Sequence, residues 1–180
     1  MTCGNCFSIR RLGFVCTAML LAFICVRSAD CQTLFGYSST GSFNDITANL
    51  ASFDAATGAG TIVGEIGSGQ GFSPDGLAFD PATQALFGNV GNQLFSIDPT
   101  TGNATDLGTI EFNTGLSLQL VSLAFDTSTN TLLGFGTNSN NLLTIDPGTL
   151  SSNPVATPIG PTGFGSITGL TFDSSGTLFG

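Results

Sequence analysis

Short apolar runs, separated by polar turn signals, make up most of the chain from residue 32 onwards. One stretch contains four of them, at Gly76–Phe79, Ala85–Gly88, Gln93–Ile97 and Thr105–Ile110. Runs of this length are too short for helices, and their Phe, Leu and Ile content between Gly, Pro, Asp and Thr predicts β-strands. Consecutive apolar residues, as at Leu77-Ala78-Phe79, are typical of strands that are covered on both faces. We therefore predict four strands here, named A to D in chain order.

The same pattern returns along the chain. The tetrapeptide Leu-Ala-Phe-Asp at Leu77–Asp80 recurs at Leu123–Asp126, and as Leu-Thr-Phe-Asp at Leu170–Asp173. Its Phe residues lie 46 and 47 positions apart, and such a period is the mark of a repeat architecture. Four strands in a repeat of this length make one blade of a β-propeller. The sequence thus predicts an all-β, β-propeller-type repeat of four-stranded antiparallel blades.

The repeats predict about three blades and part of a fourth, which is an incomplete ring. The first blade lacks strand A, and a long connection, Tyr37–Ala48, separates its strand B near Thr33–Gly36 from its strand C near Asn49–Phe53. The later blades are expected at Gly76–Ile110, at Val121–Ile159 and from Gly169 to Gly180. Because propellers close with about 4–8 blades, we expect this sequence to be a fragment of a longer chain. Alternatively, two or more copies complete a ring, or an open arc self-associates through its unpaired blade edges.

Residues 1–31 are typical of a secretory signal peptide. Arg10 and Arg11 precede the 15-residue apolar segment Leu12–Val26, and Ala29 and Cys31 are small residues at positions −3 and −1 of a cleavage site. We therefore divide the chain into a signal peptide, 1–31, and a partial propeller domain, 32–180. The protein is then secreted, periplasmic or at the cell surface; an uncleaved N-terminal anchor is the alternative. All five cysteines lie in this segment, so the exported chain has no disulfide.

The charge of residues 32–180 excludes several classes of function. All three basic residues and one of the 12 acidic residues precede residue 32, which leaves 11 acidic residues, no basic ones and a net charge of −11. Without basic side chains there is no electrostatic attraction for nucleic acid or for an anionic membrane. The lack of His, Cys and Lys excludes the usual zinc sites, Ser-His-Asp and Cys-His nucleophiles, and Schiff-base chemistry.

An aspartate opens each tight turn at one end of the predicted blades. The A–B turns begin with Asp80, Asp126 and Asp173, and the C–D turns begin with Asp54, Asp98 and Asp146. Because neighbouring strands alternate in direction, these turns share one face of the disc. We expect each carboxylate to cap its own turn by accepting backbone N–H bonds. The alternative is attraction of calcium, although no EF-hand-type loop with a closing Glu is present in the sequence.

The longer connections at the opposite face are the expected place for ligand contacts. They contain four candidate ligand-face aromatics, Tyr37, Phe43, Phe72 and Phe164. The alternative for each Phe is packing into the end of the blade stack. Asp45 and Asp75 lie on the same face and are the candidate metal ligands. Calcium is the metal that such oxygen ligands would bind, but we expect no cofactor.

A carboxylate-dependent glycan hydrolase is the enzymatic alternative. Glycosidases need only two Asp or Glu residues across the sugar bond. The two glutamates, Glu65 and Glu111, lie near the ends of D strands, and nothing in the sequence pairs any two acidic residues. We therefore predict no catalytic residues and do not expect an enzyme.

The blade pattern resembles that of secreted bacterial β-propeller repeat proteins with YVTN-type or WD-repeat-like blades. The matching motifs are Leu-Ala-Phe-Asp, Leu-Phe-Gly, and the Ile-Asp-Pro-Thr-Thr-Gly of residues 97–102. The resemblance covers residues 32–180 and implies the propeller fold, without an activity or site residues. WD repeats proper carry Trp-Asp and Gly-His dipeptides, which are missing from this sequence.

The sequence thus favours an exported, non-catalytic propeller module that binds a protein or a carbohydrate. A glycan hydrolase and a calcium-stabilised surface repeat protein are the two alternatives. Two carboxylates about 5–10 Å apart in a pocket would favour the hydrolase, whereas aspartates that only cap turns would favour the module. The expected partners include neither nucleic acid nor, for the mature domain, a membrane.

Overall fold

The computed structural model of the chain describes residues 33–42, 45–67, 73–112, 119–148 and 152–180. The chain divides into two units, Met1–Asp30 and Cys31–Gly180. The first unit, and with it the predicted signal peptide, lies outside the described residues. The described parts contain no helix, and thus none that is long and apolar enough to span a bilayer.

All regular elements of the described residues are strands, as the short apolar runs predict. In chain order they are β1 (Thr33–Ser42), β2 (Asp45–Asp54), β3 (Gly60–Ile66), β4 (Gly76–Asp80), β5 (Ala85–Val90), β6 (Gln93–Ile97), β7 (Ala104–Thr109), β8 (Glu111–Phe112), β9 (Leu120–Asp126), β10 (Thr131–Gly136), β11 (Asn141–Asp146), β12 (Val155–Pro161), β13 (Thr171–Phe172) and β14 (Leu178–Phe179). The prediction of an all-β chain is confirmed.

These strands form four sheets, which we number as blades. Blade 1 has the order β1-β2-β3, blade 2 the order β4-β5-β6-β7, blade 3 the order β8-β12-β11-β10-β9, and blade 4 the order β13-β14. Neighbouring strands in each blade pair antiparallel, as in a meander, except that β8 pairs in parallel with β12. The prediction of successive antiparallel blades is therefore confirmed for the described residues.

Blade 2 is apolar on both faces because consecutive side chains of a strand point to opposite sides. The cross-strand row formed by Phe79, Leu86, Ile97 and Ala104 packs toward blade 1, against a cluster that includes Leu50 and Ile66. The side chains between them in sequence, among them Ala78 and Phe87, pack toward blade 3. This arrangement explains why the strands are apolar at consecutive positions.

The cluster between blades 2 and 3 is the larger one. Its buried members include Leu94 of blade 2 and Leu123, Leu132 and Ile145 of blade 3. Burying one Leu, Ile or Phe side chain contributes about 1.5–3 kcal/mol, more than a typical single hydrogen bond. Stacking of blades through these apolar faces is therefore what stabilises the repeat.

The predicted irregular connection in blade 1 is wrong. Instead of a loop at Tyr37–Ala48, both flanking strands continue, so that β1 and β2 form a long hairpin from Thr33 opposite Asp54 to Ser42 opposite Asp45. In the hairpin, the backbone N–H and C=O groups of this Gly/Ser/Thr-rich stretch bond to one another across the two strands. In an irregular loop of the same length, many of these groups would have to bond to water instead. Tyr37 accordingly lies on β1 and not on a connection.

The short strand β8 is a feature that the sequence did not predict. After β7, the backbone N–H of Ile110 donates to the carbonyl of Asn92 at 2.7 Å, and Ile110 itself is buried. Glu111 and Phe112 then pair in parallel with Val155 and Ala156 of β12. The chain thus passes from the outer edge of blade 2 to the outer edge of blade 3 before it enters β9.

Candidate functional site

A cavity lies at the turn end of blades 2 and 3, and we call it the turn-end cavity. It has a volume of about 750 Å³. Its apolar lining consists of Phe87, Phe125, Leu132, Ile145, Pro147 and Val155. Its polar lining consists of Asp80, Thr83, Asn130, Thr131, Thr144, Asp146 and Thr157.

The strand register brings the apolar lining together. Phe125, Leu132 and Ile145 are direct cross-strand neighbours in β9, β10 and β11, and Phe87 reaches the same cluster from blade 2. Phe87 and Phe125 are only half buried, so part of each aromatic face is open to the cavity. Half-buried aromatic faces with nearby hydroxyls are what a sugar ring or an extended peptide would contact.

Two of the lining threonines follow a repeated register. Thr144 lies opposite Thr157, and the equivalent pairs in the first two blades are Ser52 opposite Thr61 and Ser96 opposite Thr105. The Thr144 hydroxyl donates to the Thr157 carbonyl at 3.3 Å. Sequence reasoning missed this site, although the hydroxyl residue at one fixed position in each strand C was a visible signal.

Asp80 is the buried carboxylate of the cavity. It accepts hydrogen bonds from the backbone N–H of Ala82, at 2.8 Å, and from the Thr83 hydroxyl. Burial raises the pKa of Asp80, but the hydrogen bonds from Thr83 and from the backbone of Ala82 outweigh it and hold the pKa below its ordinary value. Asp80 therefore stays ionised, whereas a glycosidase acid needs a carboxyl whose pKa is raised.

The other turn aspartates all accept hydrogen bonds within their own turns. The backbone N–H donors are Ala56 and Thr57 for Asp54, Thr100 for Asp98, Ser128 and Thr129 for Asp126, Gly148 for Asp146, and Ser175 and Thr177 for Asp173. Hydroxyl groups add to these bonds at three positions and lower the pKa of Asp98, Asp126 and Asp173. These contacts are those of turn-capping carboxylates.

At the opposite end of the blades, Asp75 and Asn89 tie strands together. Asp75 accepts from the backbone N–H of Gly91 at 2.7 Å, and its own N–H donates to the carbonyl of Asn89 at 2.7 Å. The buried Asn89 amide donates to the carbonyls of Gly91 and Leu120, which links blade 2 to the start of β9. One carboxylate oxygen of the candidate metal ligand Asp75 thus already accepts a backbone hydrogen bond.

The second candidate metal ligand, Asp45, lies at the start of β2 opposite Ser42 of β1. The structure does not describe its side chain, so its role as a ligand stays a prediction.

The candidate aromatics are not gathered at one place. Tyr37 lies on β1 opposite Leu50, and Phe164 is strongly exposed. Phe164 lines a second cavity of about 410 Å³ together with Leu142, Leu170 and Phe179. Phe43 and Phe72 fall outside the described residues. The prediction of a ligand face built from these four residues stays a prediction.

The described residues contain no group of three acidic side chains that could hold a metal ion. Of the two glutamates, Glu111 accepts a hydrogen bond from the Asn153 amide at 2.9 Å, and this bond fastens β8 to the start of β12. Asp80 and Asp146 both line the turn-end cavity, and they are the pair that a hydrolase would need there. The lowered pKa of Asp80 rules it out as the general acid of such a pair, although an ionised carboxylate could still be the base or nucleophile.

Comparisons with known proteins identify the fold but no family. No protein-family model matches the chain, and no curated protein matches it. Among solved structures it is similar to a structural-genomics protein of unknown function from Bacteroides thetaiotaomicron, with a TM-score of 0.56 and 16% identity over 79% of this chain and 40% of that chain. This chain therefore spans about two fifths of the length of that protein. The likeness supports the β-propeller-like fold.

Two further solved structures are more distant. One is a nidogen/laminin complex, with a TM-score of 0.42 and 15% identity over 62% of this chain and 38% of that chain. The other is the extracellular domain of a hybrid two-component system from B. thetaiotaomicron, with a TM-score of 0.44 and 17% identity over 79% of this chain and 19% of that chain.

Proposed function

We propose that this chain is an exported, non-catalytic β-propeller module that binds a protein or a carbohydrate at the turn-end cavity. The observation that supports this proposal most directly is the lining of that cavity. Half-buried Phe87 and Phe125 lie beside hydroxyl groups, and the buried carboxylate Asp80 is held ionised by its own turn. Such a surface offers aromatic faces and hydrogen-bonding groups to a ligand, which is what a binding site requires.

The charge of the domain restricts the ligand. Residues 32–180 carry 11 acidic residues and no basic one, so an anionic ligand would meet only repulsion. A neutral sugar or a basic protein segment is compatible with the cavity, and a basic segment would also be attracted at long range. Nucleic acid and anionic membranes are excluded as partners by the same argument.

Binding can be tested by calorimetric titration with three probes: a neutral cello-oligosaccharide, an oligolysine peptide and an oligoglutamate peptide. We expect heat of binding from the first or second probe and none from the third. Thr157→Arg places a large side chain in the cavity and should weaken binding about tenfold or more. Thr109→Arg, at an exposed position on β7 outside the cavity, is the matched control and should bind normally.

Two results would contradict the proposal. The first is equal binding by the wild type and by Thr157→Arg, which would remove the cavity from the interaction. The second is the appearance of new reducing ends when the oligosaccharide is incubated with the wild type, which would establish the hydrolase instead.

Export is the second part of the proposal, and it rests on residues 1–31 of the sequence. If these residues are a signal peptide, the protein recovered from an exporting host begins at Gln32. Intact-mass measurement distinguishes this product from the full chain of 180 residues. A full-length product that stays in the membrane fraction would show the uncleaved anchor instead.

A further inference from the structure

The turn-end cavity is lined by two carboxylates and by no basic side chain. Asp80 lines it from blade 2, and Asp146 lines it from blade 3. Residues 32–180 contain no Lys, Arg or His, so no side chain of this domain can neutralise either charge. The cavity therefore has a negative potential that favours a ligand with a positive group.

Asp80 is the carboxylate with the most to gain from such a group. It is only 4% exposed, whereas the aspartates that open the C–D turns are exposed. Loss of hydration disfavours its negative charge, and the hydrogen bonds from Ala82 and Thr83 supply dipoles but no opposite charge. A cation beside Asp80 would offset the remaining cost of holding that charge away from water.

The aromatic part of the lining also suits a cation. Phe87 from blade 2 and Phe125 from blade 3 are half buried, and each contributes part of its ring to the cavity. The face of an aromatic ring attracts a cation, and a guanidinium group can in addition stack on the ring. A neutral sugar could stack on the rings too, but it would leave both carboxylates uncompensated.

The aliphatic part of the lining lies next to Asp146. Ile145 precedes Asp146 on β11, and Val155 lies opposite Asp146 on β12. An arginine side chain has a methylene stem that packs on apolar surface while its charged head reaches a carboxylate. The combination of acidic, aromatic and aliphatic lining therefore matches this side chain better than a sugar.

We propose that the turn-end cavity binds an arginine side chain of a partner protein. The guanidinium group would be drawn to Asp80 and Asp146, and the stem would contact the apolar lining. This inference rests on the proposed function and narrows it, because the ligand becomes a basic protein segment and not a carbohydrate. The acidic residues of 32–180 would also speed the encounter with such a segment.

The test compares two small probes that have the same shape but differ in charge. Acetyl-arginine methylamide is cationic, and acetyl-citrulline methylamide is neutral. Each is titrated into the ¹⁵N-labelled protein, and the backbone amide signals of Phe87, Phe125 and Asp146 report on the cavity. We expect the arginine probe to shift these signals and to bind about tenfold more tightly than the citrulline probe.

Two aspartate variants separate the cavity from the general charge of the domain. Asp146→Asn should raise the dissociation constant of the arginine probe about three- to fivefold, because a carboxylate of the cavity is lost. Asp98→Asn is the matched control and should bind normally. Asp98 opens the equivalent turn of blade 2, precedes a proline as Asp146 does, and lies outside the cavity lining. Both variants lose one negative charge, so only a cavity contact distinguishes them.

A third variant tests the aromatic contribution. Phe125→Leu keeps an apolar side chain but removes the ring, and it should weaken binding of the arginine probe about two- to fivefold. The amide spectrum of each variant shows whether it is folded. If Phe125→Leu is not, Phe87→Leu takes its place.

Several outcomes would overturn the inference. Equal affinity for the arginine and citrulline probes would show that charge is not recognised. Equal weakening by Asp146→Asn and Asp98→Asn would show general attraction to an acidic domain. If a cello-oligosaccharide shifts the cavity signals and the arginine probe does not, the cavity is a carbohydrate site; the proposed function then stands and this inference fails. If neither probe nor the oligosaccharide shifts these signals, both fail.

Discussion

At the scale of single residues, the aspartates show how a domain without cations uses its charges. With no Lys, Arg or His after residue 31, a carboxylate can be paired only with N–H and O–H groups. Each turn aspartate accepts at least one backbone N–H two residues further along the chain. Such bonds favour the ionised form and lower the pKa, as they do at Asp98, Asp126 and Asp173.

The cap at Asp126 leads to a pH-dependent prediction. The Ser128 and Thr129 side chains and the Ser128 N–H hold the pKa of Asp126 below its ordinary value of 3.8. The ionised Asp126 cap therefore stabilises the folded protein fully above pH 3.8, the ordinary pKa of the carboxyl group. This stabilisation is lost as the pH falls through the lower pKa that Asp126 has in the folded state. We expect Asp126→Asn to melt at a lower temperature than the wild type at pH 7, and the gap to shrink below pH 3.8.

Thermal melts of both proteins across this range, at physiological ionic strength, provide the measurement. All other carboxyl groups titrate in both proteins alike. The difference between the two melting temperatures at each pH therefore reports on Asp126. A gap of constant size down to the lowest pH would show that the carboxylate charge of Asp126 does not contribute to the cap.

A second prediction concerns the closest backbone approach between blades 1 and 2. An added Cβ at Gly64 would overlap the carbonyl oxygen of Thr101, in the turn between β6 and β7. Backbone cannot move aside as a flexible side chain can, so Gly64→Ala should destabilise the fold by about 1–3 kcal/mol or more. Gly160→Ala is the control, because nothing lies within 4 Å of its Cβ position, and it should change stability by no more than about 0.5 kcal/mol. Urea unfolding of both variants measures the difference, and equal stabilities would contradict the close approach.

At the scale of elements, the sequence predicted the parts of the fold that depend on repeated local signals. Strands β4 to β7 agree with their predicted limits to within about two residues, because Asp-Pro and Gly turn signals bound each apolar run. The long β1–β2 hairpin could not be predicted, since its Gly-, Ser- and Thr-rich sequence has no apolar alternation to identify a strand. Strand β8 has only two residues, and it exists because β12 offers a free edge, which is tertiary information.

The candidate site was less predictable than the fold for the same physical reason. The aspartates were identified because a turn cap acts within a few residues of its own position. The turn-end cavity combines Asp80 and Phe87 of one blade with Phe125 and Thr144 of the next. Which side chains meet there depends on how two sheets stack, and the pattern within a single repeat does not contain that information.

Equivalent leucines in two blades give a third prediction. Leu86 is buried between blades 1 and 2, so Leu86→Ala should cost about 2–5 kcal/mol. Leu34 has the same place in its own blade but is half exposed, and Leu34→Ala should cost clearly less when the protein is monomeric. Urea unfolding at low protein concentration provides the comparison. Equal losses of stability would mean that Leu34 is covered in solution as completely as Leu86.

At the scale of the whole molecule, one apolar interface is repeated along a uniformly acidic chain. Among residues 32–180 every ionised side chain has the same sign, so all long-range charge interactions are repulsive. Apolar stacking between blades and strand pairing must therefore provide the stability.

The last prediction uses this uniform charge to separate general screening from a specific calcium site. Sodium chloride should raise the melting temperature, because salt screens repulsion among the 11 acidic residues of 32–180. Calcium chloride at the same ionic strength should produce a similar rise, since no cluster of three acidic side chains occurs in the described part of the chain. Differential scanning fluorimetry at matched ionic strengths provides the measurement. A larger rise that saturates at low calcium concentration, and that is lost in Asp45→Asn or Asp75→Asn, would instead establish a calcium-stabilised repeat protein.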